Sequence, residues 1–320
     1  MGAVGTAPGP NRVEAVAVDV GDGVTLNLIE VTGSEPGPWL ALLGGVHGDE
    51  DEGVLSVQRV CALVADRPIA GTVRALAASN PVACAAYSRC TPADGQNLAR
   101  VFPGLQQGSL TQRIAFAITE RVLKGADALV DLHSAGREQA MPLFCGYPED
   151  GGVYGARSAA LARAFGAPLT WAHVGTSEGR SLSAARALGI PAIYAEASGG
   201  GEVRGAETDA FVEGVLNVLR LLGVLPGPAR PTSSKLIRDA GGDIDAGLIA
   251  PATGTWVTRT SAGAVVERGA VLAEIYGDDG ARIGPVTAPQ AGIVMMLRRH
   301  SRVAQGTSVG MVASPPQPWA

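Results

Sequence analysis

The sequence predicts an α/β fold in which a mixed, largely parallel sheet is flanked by helices and followed by a C-terminal all-β domain. Over residues 12–222, short apolar runs alternate with stretches of helical periodicity, which is the pattern of parallel strands joined by crossover helices. A linker that contains three prolines then crosses residues 222–231. Beyond it, short β-like runs are interrupted by Gly, Pro or Asp about every eight to twelve residues, as in a small barrel or sandwich.

The first elements are a hairpin and the start of the alternating pattern. Apolar and polar residues alternate over 12–31 on both sides of Gly21-Asp22-Gly23, which predicts a β-hairpin at the edge of the sheet. The run WLALLGG at 39–45 is apolar and ends in glycines, so it predicts a strand buried on both faces. Helical periodicity follows at about 52–65, and TVRALAAS at 72–79 predicts the next strand.

The middle of the chain continues this alternation after a long polar loop at about 88–109. The predicted elements that follow are a helix at about 109–124, a buried strand that ends at Leu132, helices near 156–166 and 181–188, a buried strand at 191–198, and a long helix at 206–222. Because the composition changes at the Pro-rich linker, we predict an α/β domain over residues 1–228 and a β-barrel or sandwich domain over residues 229–320.

Composition excludes several classes of function. The 320 residues are 46% hydrophobic and 17% charged with a net charge of −5, which is typical of a globular protein. The pI is about 5.5 and no basic cluster exists beyond Arg298, Arg299 and Arg302, so we expect no nucleic-acid partner. No run approaches the ~18 apolar residues of a membrane span, and the N-terminus lacks a secretory pattern, so we expect a cytoplasmic protein without a membrane partner.

Polar residues follow the ends of three predicted buried strands. His47 and Glu50 lie in the turn after the strand at 39–45. His133 follows the strand that ends at Leu132, and Glu196 lies near the end of the strand at 191–198. Since loops at the carboxyl ends of parallel strands meet in one crevice, we expect these side chains to converge.

Two imidazoles and one carboxylate form the ligand set of a catalytic zinc ion, which keeps a fourth position open for water. Zinc brings the pKa of bound water to ~7, and a nearby carboxylate takes the proton during attack on a carbonyl. Glu196 is the first candidate for this base. Glu178 is the second, because it lies in a loop that is not attached to a buried strand. The alternative for His47 and Glu50 is a surface turn with a helix-capping acid.

Two further polar residues have structural alternatives. His173 either lines the pocket or packs as a core or surface imidazole. Asp131 lies two residues before His133. We expect Asp131 on the other face of its strand, in a structural role.

Five separated motifs make the chain recognisable. In chain order they are GGVHGDEDEG at 44–53, RCTPADGQNLARVFPG at 89–104, DLHSAG at 131–136, GIPAIYAEASGGG at 189–201, and AGIVMMLRRHSRVAQG at 291–306. With them the sequence resembles the succinylglutamate desuccinylase/aspartoacylase family, a branch of the zinc carboxypeptidase superfamily. Within the family it looks most like the N-acetyl-diaminobutyrate deacetylase type, and the resemblance covers nearly the whole chain.

The resemblance implies a metal centre and a reaction. It implies one Zn²⁺ ion per chain held by His47, Glu50 and His133, with Glu196 as the base that activates water. The reaction it implies is hydrolysis of the amide bond of a small N-acylated amino acid or amine.

The resemblance also assigns roles in the long polar loop. It implies that Arg89 helps to polarise the scissile carbonyl and that an Asn-Arg pair ending at Arg100 binds a substrate carboxylate. A guanidinium suits both tasks because it donates several hydrogen bonds from one plane. The usual Asn-Leu-Asn-Arg reads Asn97-Leu98-Ala99-Arg100 here. Either Asn97 takes over the substrate contact, or the substrate presents less carboxylate to this corner.

Two other functions remain beside the deacylase: a zinc carboxypeptidase that acts on short peptides, and a non-catalytic metal-binding relative. The segment at 291–306 also looks like the hairpin of a swinging-arm carrier, which needs a lysine. The chain contains only Lys124 and Lys235, and the hairpin apex reads Met295-Met296-Leu297, so a carrier is excluded. We therefore expect the β domain to shape the active-site entrance or to form a homo-oligomer interface.

Overall fold

The computed structural model describes residues 10–230, 233–239 and 247–319. In the first part of the chain the strands are β1 (Arg12–Asp19), β2 (Thr25–Thr32), β3 (Glu35–Leu43), β4 (Ala70–Leu76), β5 (Ala128–Ser134), β6 (Gln139–Ala140), β7 (Phe144–Pro148), β8 (Leu169–His173) and β9 (Ala192–Ala197). The later strands are β10 (Lys235–Asp239), β11 (Leu248–Ile249), β12 (Gly254–Thr258), β13 (Val265–Val266), β14 (Val271–Tyr276), β15 (Arg282–Thr287), β16 (Gly292–Arg298), β17 (Arg302–Val303), β18 (Ser308–Ala313) and β19 (Gln317–Pro318).

The helices follow the predicted alternation with the strands. They are α1 (Asp51–Ala65), α2 (Pro81–Ala86), α3 (Leu110–Ile118), α4 (Gly152–Phe165), α5 (Ser181–Ala187) and α6 (Gly205–Leu222). A π-helical stretch, Thr119–Leu123, extends α3, and a 3-10 turn forms at Leu98–Arg100. No helix in the described ranges combines the length and the apolar character that crossing a membrane requires.

A mixed sheet carries the site-bearing loops. Within the described residues it has ten strands in the order β1-β2-β4-β3-β5-β9-β7-β8-β10-β19, and five of the nine neighbouring pairs are parallel. Every residue of the central strand β5 is buried. One apolar cluster packs α1, α4 and α6 against one face, and a second packs α3 and α5 against the other. The predicted fold class is confirmed.

The C-terminal region is all-β, as predicted. One antiparallel sheet has the order β11-β18-β16-β13, and the other has the order β15-β14-β12-β17. Both contribute to one apolar cluster, whose largest members include Trp256, Leu272 and Ile275. An aliphatic and aromatic core of this kind stabilises the region through burial of apolar surface.

Two strand pairings connect this region to the larger sheet. β10 pairs in parallel with β8, and β19 pairs with β10, so strands from beyond residue 228 complete the ten-stranded sheet. β6, in the loop after β5, adds to β16 at Leu297 and Arg298. The division into domains at residues 228 and 229 stays a prediction, and the larger sheet takes strands from both sides of it.

Most predicted elements are present, and the missed ones are short. The hairpin, the buried strands and the long helices agree with the predicted ranges to within a few residues. β7, β8 and α2 were not predicted, because five or six residues are too few to show a periodicity. β10 was predicted as part of the C-terminal domain but pairs with the main sheet.

Candidate metal centre and active site

The polar side chains that follow the buried strands lie together at one end of the sheet. His47 and Glu50 occupy the turn between β3 and α1, where Glu50 is the residue that caps the helix. Its carboxylate makes no capping hydrogen bond and is free to face the sheet. β9 pairs with β5 so that Glu196 lies opposite His133. All four side chains are buried.

Glu50 bridges the two imidazoles. Its Oε1 lies 2.8 Å from Nδ1 of His47, and its Oε2 lies 2.9 Å from Nδ1 of His133. The backbone N–H of Ser134 donates to Oε2 at 3.3 Å. One ligand atom from each of the three side chains lies within 4.8 Å of the others, so the group could hold a metal ion.

Each imidazole also has a hydrogen-bond acceptor on its outer side. Nε2 of His47 lies 3.0 Å from Oδ1 of Asn97, which also accepts from the backbone N–H of Ala99 at 2.9 Å. Nε2 of His133 lies 3.1 Å from Oδ2 of Asp131. The Glu50 carboxylate is an acceptor as well, so each ring lies between two acceptors. A neutral ring with its proton on Nε2 donates to the outer oxygen. Both Nδ1 lone pairs then face Glu50.

Asp131 lies on the same face of β5 as His133, and our expectation of the opposite face is wrong. Residues two apart along a strand share a face. The hydroxyl of Ser181 donates to Oδ2 of Asp131, so this carboxylate links His133 to the start of α5. Asp131 is therefore an outer partner of His133.

Burial and charge together set the protonation of the group. Burial acts to raise the pKa of Glu50, but His47 and His133 outweigh it and hold that pKa well below its usual range. Burial lowers the pKa of His47. For His133, burial acts in the same direction, but Asp131 and Glu50 outweigh it and raise the pKa well above its usual value.

The residues present fit a divalent cation. Two imidazole lone pairs and a carboxylate converge in a buried place, where facing acceptors repel one another unless a proton or a cation lies between them. Two His and one carboxylate are also the ligand types that zinc and other first-row divalent ions bind. The outer hydrogen bonds to both Nε2 atoms orient the rings for such an ion.

Glu196 has the environment of a base. Its Oε2 is buried and has no hydrogen-bond partner within the described ranges. Burial raises the pKa of Glu196 to about 8, although His133 acts in the opposite direction. A carboxylate with a raised pKa accepts a proton readily near neutral pH. Glu178, the second candidate, is exposed and is not part of the cavity wall.

The group opens onto a cavity of about 810 Å³. Met296, His300 and Ser308 line it, so the C-terminal region forms part of its wall. His173 is buried and lines it as well, and its Nδ1 lies 2.9 Å from the carbonyl oxygen of Gly175. Of the two expectations for His173, the structure therefore supports the pocket-lining position.

The long polar loop brings its two arginines to the cavity. Nη1 of Arg89 lies 3.0 Å from Oε1 of Glu50, and 45% of the side chain is exposed. Arg100 lines the cavity, and its Nη1 donates to the carbonyl oxygen of Ala99 at 3.0 Å. Asn97, by contrast, is not among the lining residues, because its amide oxygen faces His47.

Several lining residues were not found by sequence reasoning. They include Tyr87, Arg137, Arg180 and Tyr194. Tyr194 had a usable signal, since it lies two residues before Glu196 in β9 and so shares its face. The others lie in loops, where no periodicity indicates the direction of a side chain.

The mixed sheet, the crevice at the carboxyl ends of β3, β5 and β9, and the His–Glu–His group define the class of protein. It is an α/β protein whose site holds a candidate metal centre. The chain belongs to the succinylglutamate desuccinylase/aspartoacylase family, because the profile described as "Succinylglutamate desuccinylase/Aspartoacylase catalytic domain" matches residues 36–222. The resemblance predicted from the motifs is confirmed.

Relatives and solved structures are similar over most of the chain. A curated N-alpha-acetyl-L-2,4-diaminobutyric acid deacetylase from Halomonas elongata is 29% identical over 282 residues, which are 87% of this chain and 82% of the relative. A succinylglutamate desuccinylase/aspartoacylase from Rhodobacter sphaeroides has a TM-score of 0.84 at 26% identity and covers 95% of both chains. The product-bound ectoine utilization protein EutE from Ruegeria pomeroyi has a TM-score of 0.86 at 26% identity, over 96% of this chain and 98% of its own.

Proposed function

We propose that this protein is a zinc-dependent deacylase that hydrolyses the amide bond of a small N-acylated amino acid. The observation that carries the proposal is the convergence of His47, Glu50 and His133, with ligand atoms within 4.8 Å of one another, on the wall of the cavity that Glu196 also lines. When bound, zinc supplies Lewis-acid chemistry, because it lowers the pKa of water and polarises a carbonyl oxygen.

In this proposal the chain holds the ion through both Nδ1 atoms and the Glu50 carboxylate. Asn97 and Asp131 keep the proton of each ring on Nε2, which leaves Nδ1 available as a ligand. Asn97 then acts through His47 and does not itself contact the substrate.

Glu196 takes the proton from the attacking water. Its buried carboxylate has a pKa raised to about 8, so it is a stronger base than an exposed glutamate and can pass the proton on to the leaving amine. The unpartnered Oε2 is the atom to which we assign the proton.

The arginines act on the substrate. Arg89 is held beside Glu50 and is half exposed, a position from which its remaining N–H groups stabilise charge on the carbonyl oxygen during attack. Arg100 lines the cavity and adds positive charge to the wall that the substrate meets.

The relatives support the substrate class. One is named for the deacetylation of N-alpha-acetyl-L-2,4-diaminobutyric acid, and another for ectoine utilization. We therefore propose an N-acetylated diamino acid as the substrate to test first. The wall formed by Met296, His300 and Ser308 favours a small substrate over the peptide of a carboxypeptidase.

The test combines metal content with hydrolysis of a panel of N-acyl amino acids and short peptides. The wild-type protein is expected to contain one zinc ion and to release acetate from N-acetyl-L-2,4-diaminobutyrate. His47→Ala is expected to lose both the metal and the activity, whereas Glu196→Ala keeps the metal and loses the activity. Release of free amino acids from peptides, without deacylation, would place the protein with the carboxypeptidases, and a metal-loaded protein inert toward the whole panel would be a non-catalytic relative.

A further inference from the structure

Arg137 holds its guanidinium at the cavity wall without an acidic partner. The residue is exposed and lines the cavity, and within the described ranges the side chain makes neither a hydrogen bond nor an ion pair. The neighbouring Glu138 is already engaged, since Nη1 of Arg298 lies 3.1 Å from its Oε2. Cζ of Arg137 lies over the ring of Tyr87, 5.0 Å from its centroid.

The loop that carries Arg137 is fixed on three sides. The backbone N–H of Arg137 donates to Oδ2 of Asp49 at 3.3 Å, in the turn that also carries His47 and Glu50. The N–H groups of Gly200 and Gly201 donate to the carbonyl oxygen of Gly136. From the C-terminal region, the N–H of Arg299 donates to the carbonyl oxygen of Glu138 at 2.8 Å. The backbone beneath Arg137 is therefore rigidly placed relative to the candidate metal centre.

The segment Asn97–Arg100, where the family resemblance places the substrate carboxylate, already uses several of its polar groups. The amide oxygen of Asn97 is occupied by His47 and by the N–H of Ala99. Ala99 has no hydrogen-bonding side chain, and Nη1 of Arg100 donates to the carbonyl oxygen of Ala99. In this segment the amide oxygen of Asn97 and one nitrogen of Arg100 are thus already engaged, whereas the guanidinium of Arg137 makes no hydrogen bond or ion pair within the described ranges.

We propose that Arg137, placed over the ring of Tyr87, binds the carboxylate of the N-acylated amino acid and so makes the enzyme select acylated amino acids over acylated amines. A planar guanidinium binds a carboxylate through two parallel hydrogen bonds, and stacking on an aromatic ring leaves its N–H edge available. The inference rests on the proposed deacylase function and specifies which group of its substrate is recognised.

The experiment compares N-acetyl-L-2,4-diaminobutyrate with its carboxamide, which differ only in the carboxylate. For wild-type protein we expect the carboxylate form to have the lower KM. Arg137→Gln is expected to raise that KM by about 10- to 100-fold, the usual contribution of a charged hydrogen bond, with kcat changed by less than about threefold. The KM for the carboxamide is expected to stay the same, so that the preference disappears.

Matched variants separate recognition from a structural effect. Arg137→Lys keeps the charge but not the planar fork, and we expect an intermediate KM. Arg268→Gln removes an exposed arginine that lies outside the cavity wall, and it is expected to leave both KM values unchanged.

The outcomes distinguish the inference from the function on which it rests. If wild type hydrolyses both compounds with the same KM, or if Arg137→Gln changes both KM values alike, Arg137 does not recognise the carboxylate and the deacylase function stands. If wild type hydrolyses neither these compounds nor other N-acyl amino acids, the proposed function is wrong and the inference is overturned with it.

Discussion

The amide oxygen of Asn97 lies 3.0 Å from Nε2 of His47, on the side of the ring opposite to Glu50. Asn97 belongs to the segment in which this chain departs from the family pattern, and it orients a candidate ligand from outside the cavity. The same Oδ1 accepts from the N–H of Ala99, which fixes the orientation of the amide. The departure at Ala99 therefore leaves the hydrogen bond to the candidate ligand His47 in place, while it removes a polar side chain from the corner beside Arg100.

Loss of the Asn97 acceptor should weaken metal binding. Asn97→Leu has a similar volume but offers no oxygen to Nε2, so His47 is no longer held in the tautomer that presents Nδ1. We expect zinc affinity to fall by about 10- to 100-fold, measured by competition with a chromophoric chelator. Asn97→Asp keeps an oxygen acceptor and should retain most of the affinity.

The control for this prediction is an amide in the same long loop. Gln106 is exposed and outside the cavity wall, so Gln106→Leu should leave zinc affinity unchanged. Equal affinity of wild type and Asn97→Leu would show that the hydrogen bond does not support the ligand.

Replacement of Glu196 should separate metal binding from catalysis. Glu196→Gln has the same shape but no proton-accepting carboxylate, so kcat should fall by about 10²- to 10⁴-fold while zinc content and affinity stay near wild type. Glu178→Gln is the matched control, because Glu178 is exposed and outside the cavity wall; its kcat should change by less than about twofold. A large loss of kcat in Glu178→Gln, together with a near wild-type kcat in Glu196→Gln, would show that Glu178 is the base.

The raised pKa of Glu196 also predicts how metal-free protein responds to pH. Burial raises this pKa to about 8 from an unfolded value of 4.5, so between these values the folded state binds the proton that the unfolded state has released. Stability contributed by this group is therefore lost as pH rises from 4.5 through 8. The glutamine of Glu196→Gln does not ionise, so this variant does not lose that stability as pH rises. Metal-free Glu196→Gln should unfold at a temperature at least ~2 °C above metal-free wild type at pH 8.5, with a smaller difference at pH 5.

Calorimetry at the two pH values checks this prediction. The His and Glu ligands are present in both proteins, so the comparison reports the loss of the Glu196 carboxylate together with its interactions with His133 and Glu50. A Glu196→Gln protein that is less stable than wild type at pH 8.5 would mean that the carboxylate is better solvated than its burial indicates.

Sequence reasoning predicted that the three candidate ligands converge, as they do in the structure, because the ends of strands can be predicted from the sequence pattern. His47 and Glu50 lie in the turn after β3, His133 lies near the end of β5, and parallel strands carry their carboxyl ends to one edge. The face of β5 on which Asp131 lies follows from the strand period of two, which puts Asp131 on the same face as His133; the prediction of the opposite face is wrong.

The remaining parts of the site depend on tertiary contacts that no local pattern records. Whether Asn97 faces the cavity or His47 is decided by the packing of a 3-10 turn against the turn after β3. The loop around Arg137 is held by hydrogen bonds to Asp49 and from Gly200 and Arg299, which are far apart in the chain. The membership of β10 in the main sheet likewise depends on its pairing with β8 across 66 residues, from Leu169 to Lys235.

Gly146 and Tyr194 form a matched pair on the face of the sheet that lines the cavity. A Cβ at Gly146 would lie 2.1 Å from Cε1 and Cζ of Tyr194, closer than any two unbonded carbons approach. The ring of Tyr194 therefore occupies the space that the missing side chain leaves. It also contacts the rings of Phe144 and His173, each with a centroid separation of 5.8 Å, so it cannot move without disturbing the cavity wall.

Addition of one methyl group at Gly146 should accordingly displace the ring and destabilise the protein. We expect Gly146→Ala to lower the free energy of unfolding by about 1–3 kcal/mol, measured by urea denaturation, as in other overpacked cores. In a Tyr194→Ala background the same substitution should cost at least ~1 kcal/mol less, because the clash partner is gone. Gly205→Ala, at the start of α6 where nothing lies within 4 Å of the added carbon, should change stability by less than ~0.5 kcal/mol. Equal costs of Gly146→Ala in the two backgrounds would show that the strain arises in the backbone of β7 and not from the ring of Tyr194.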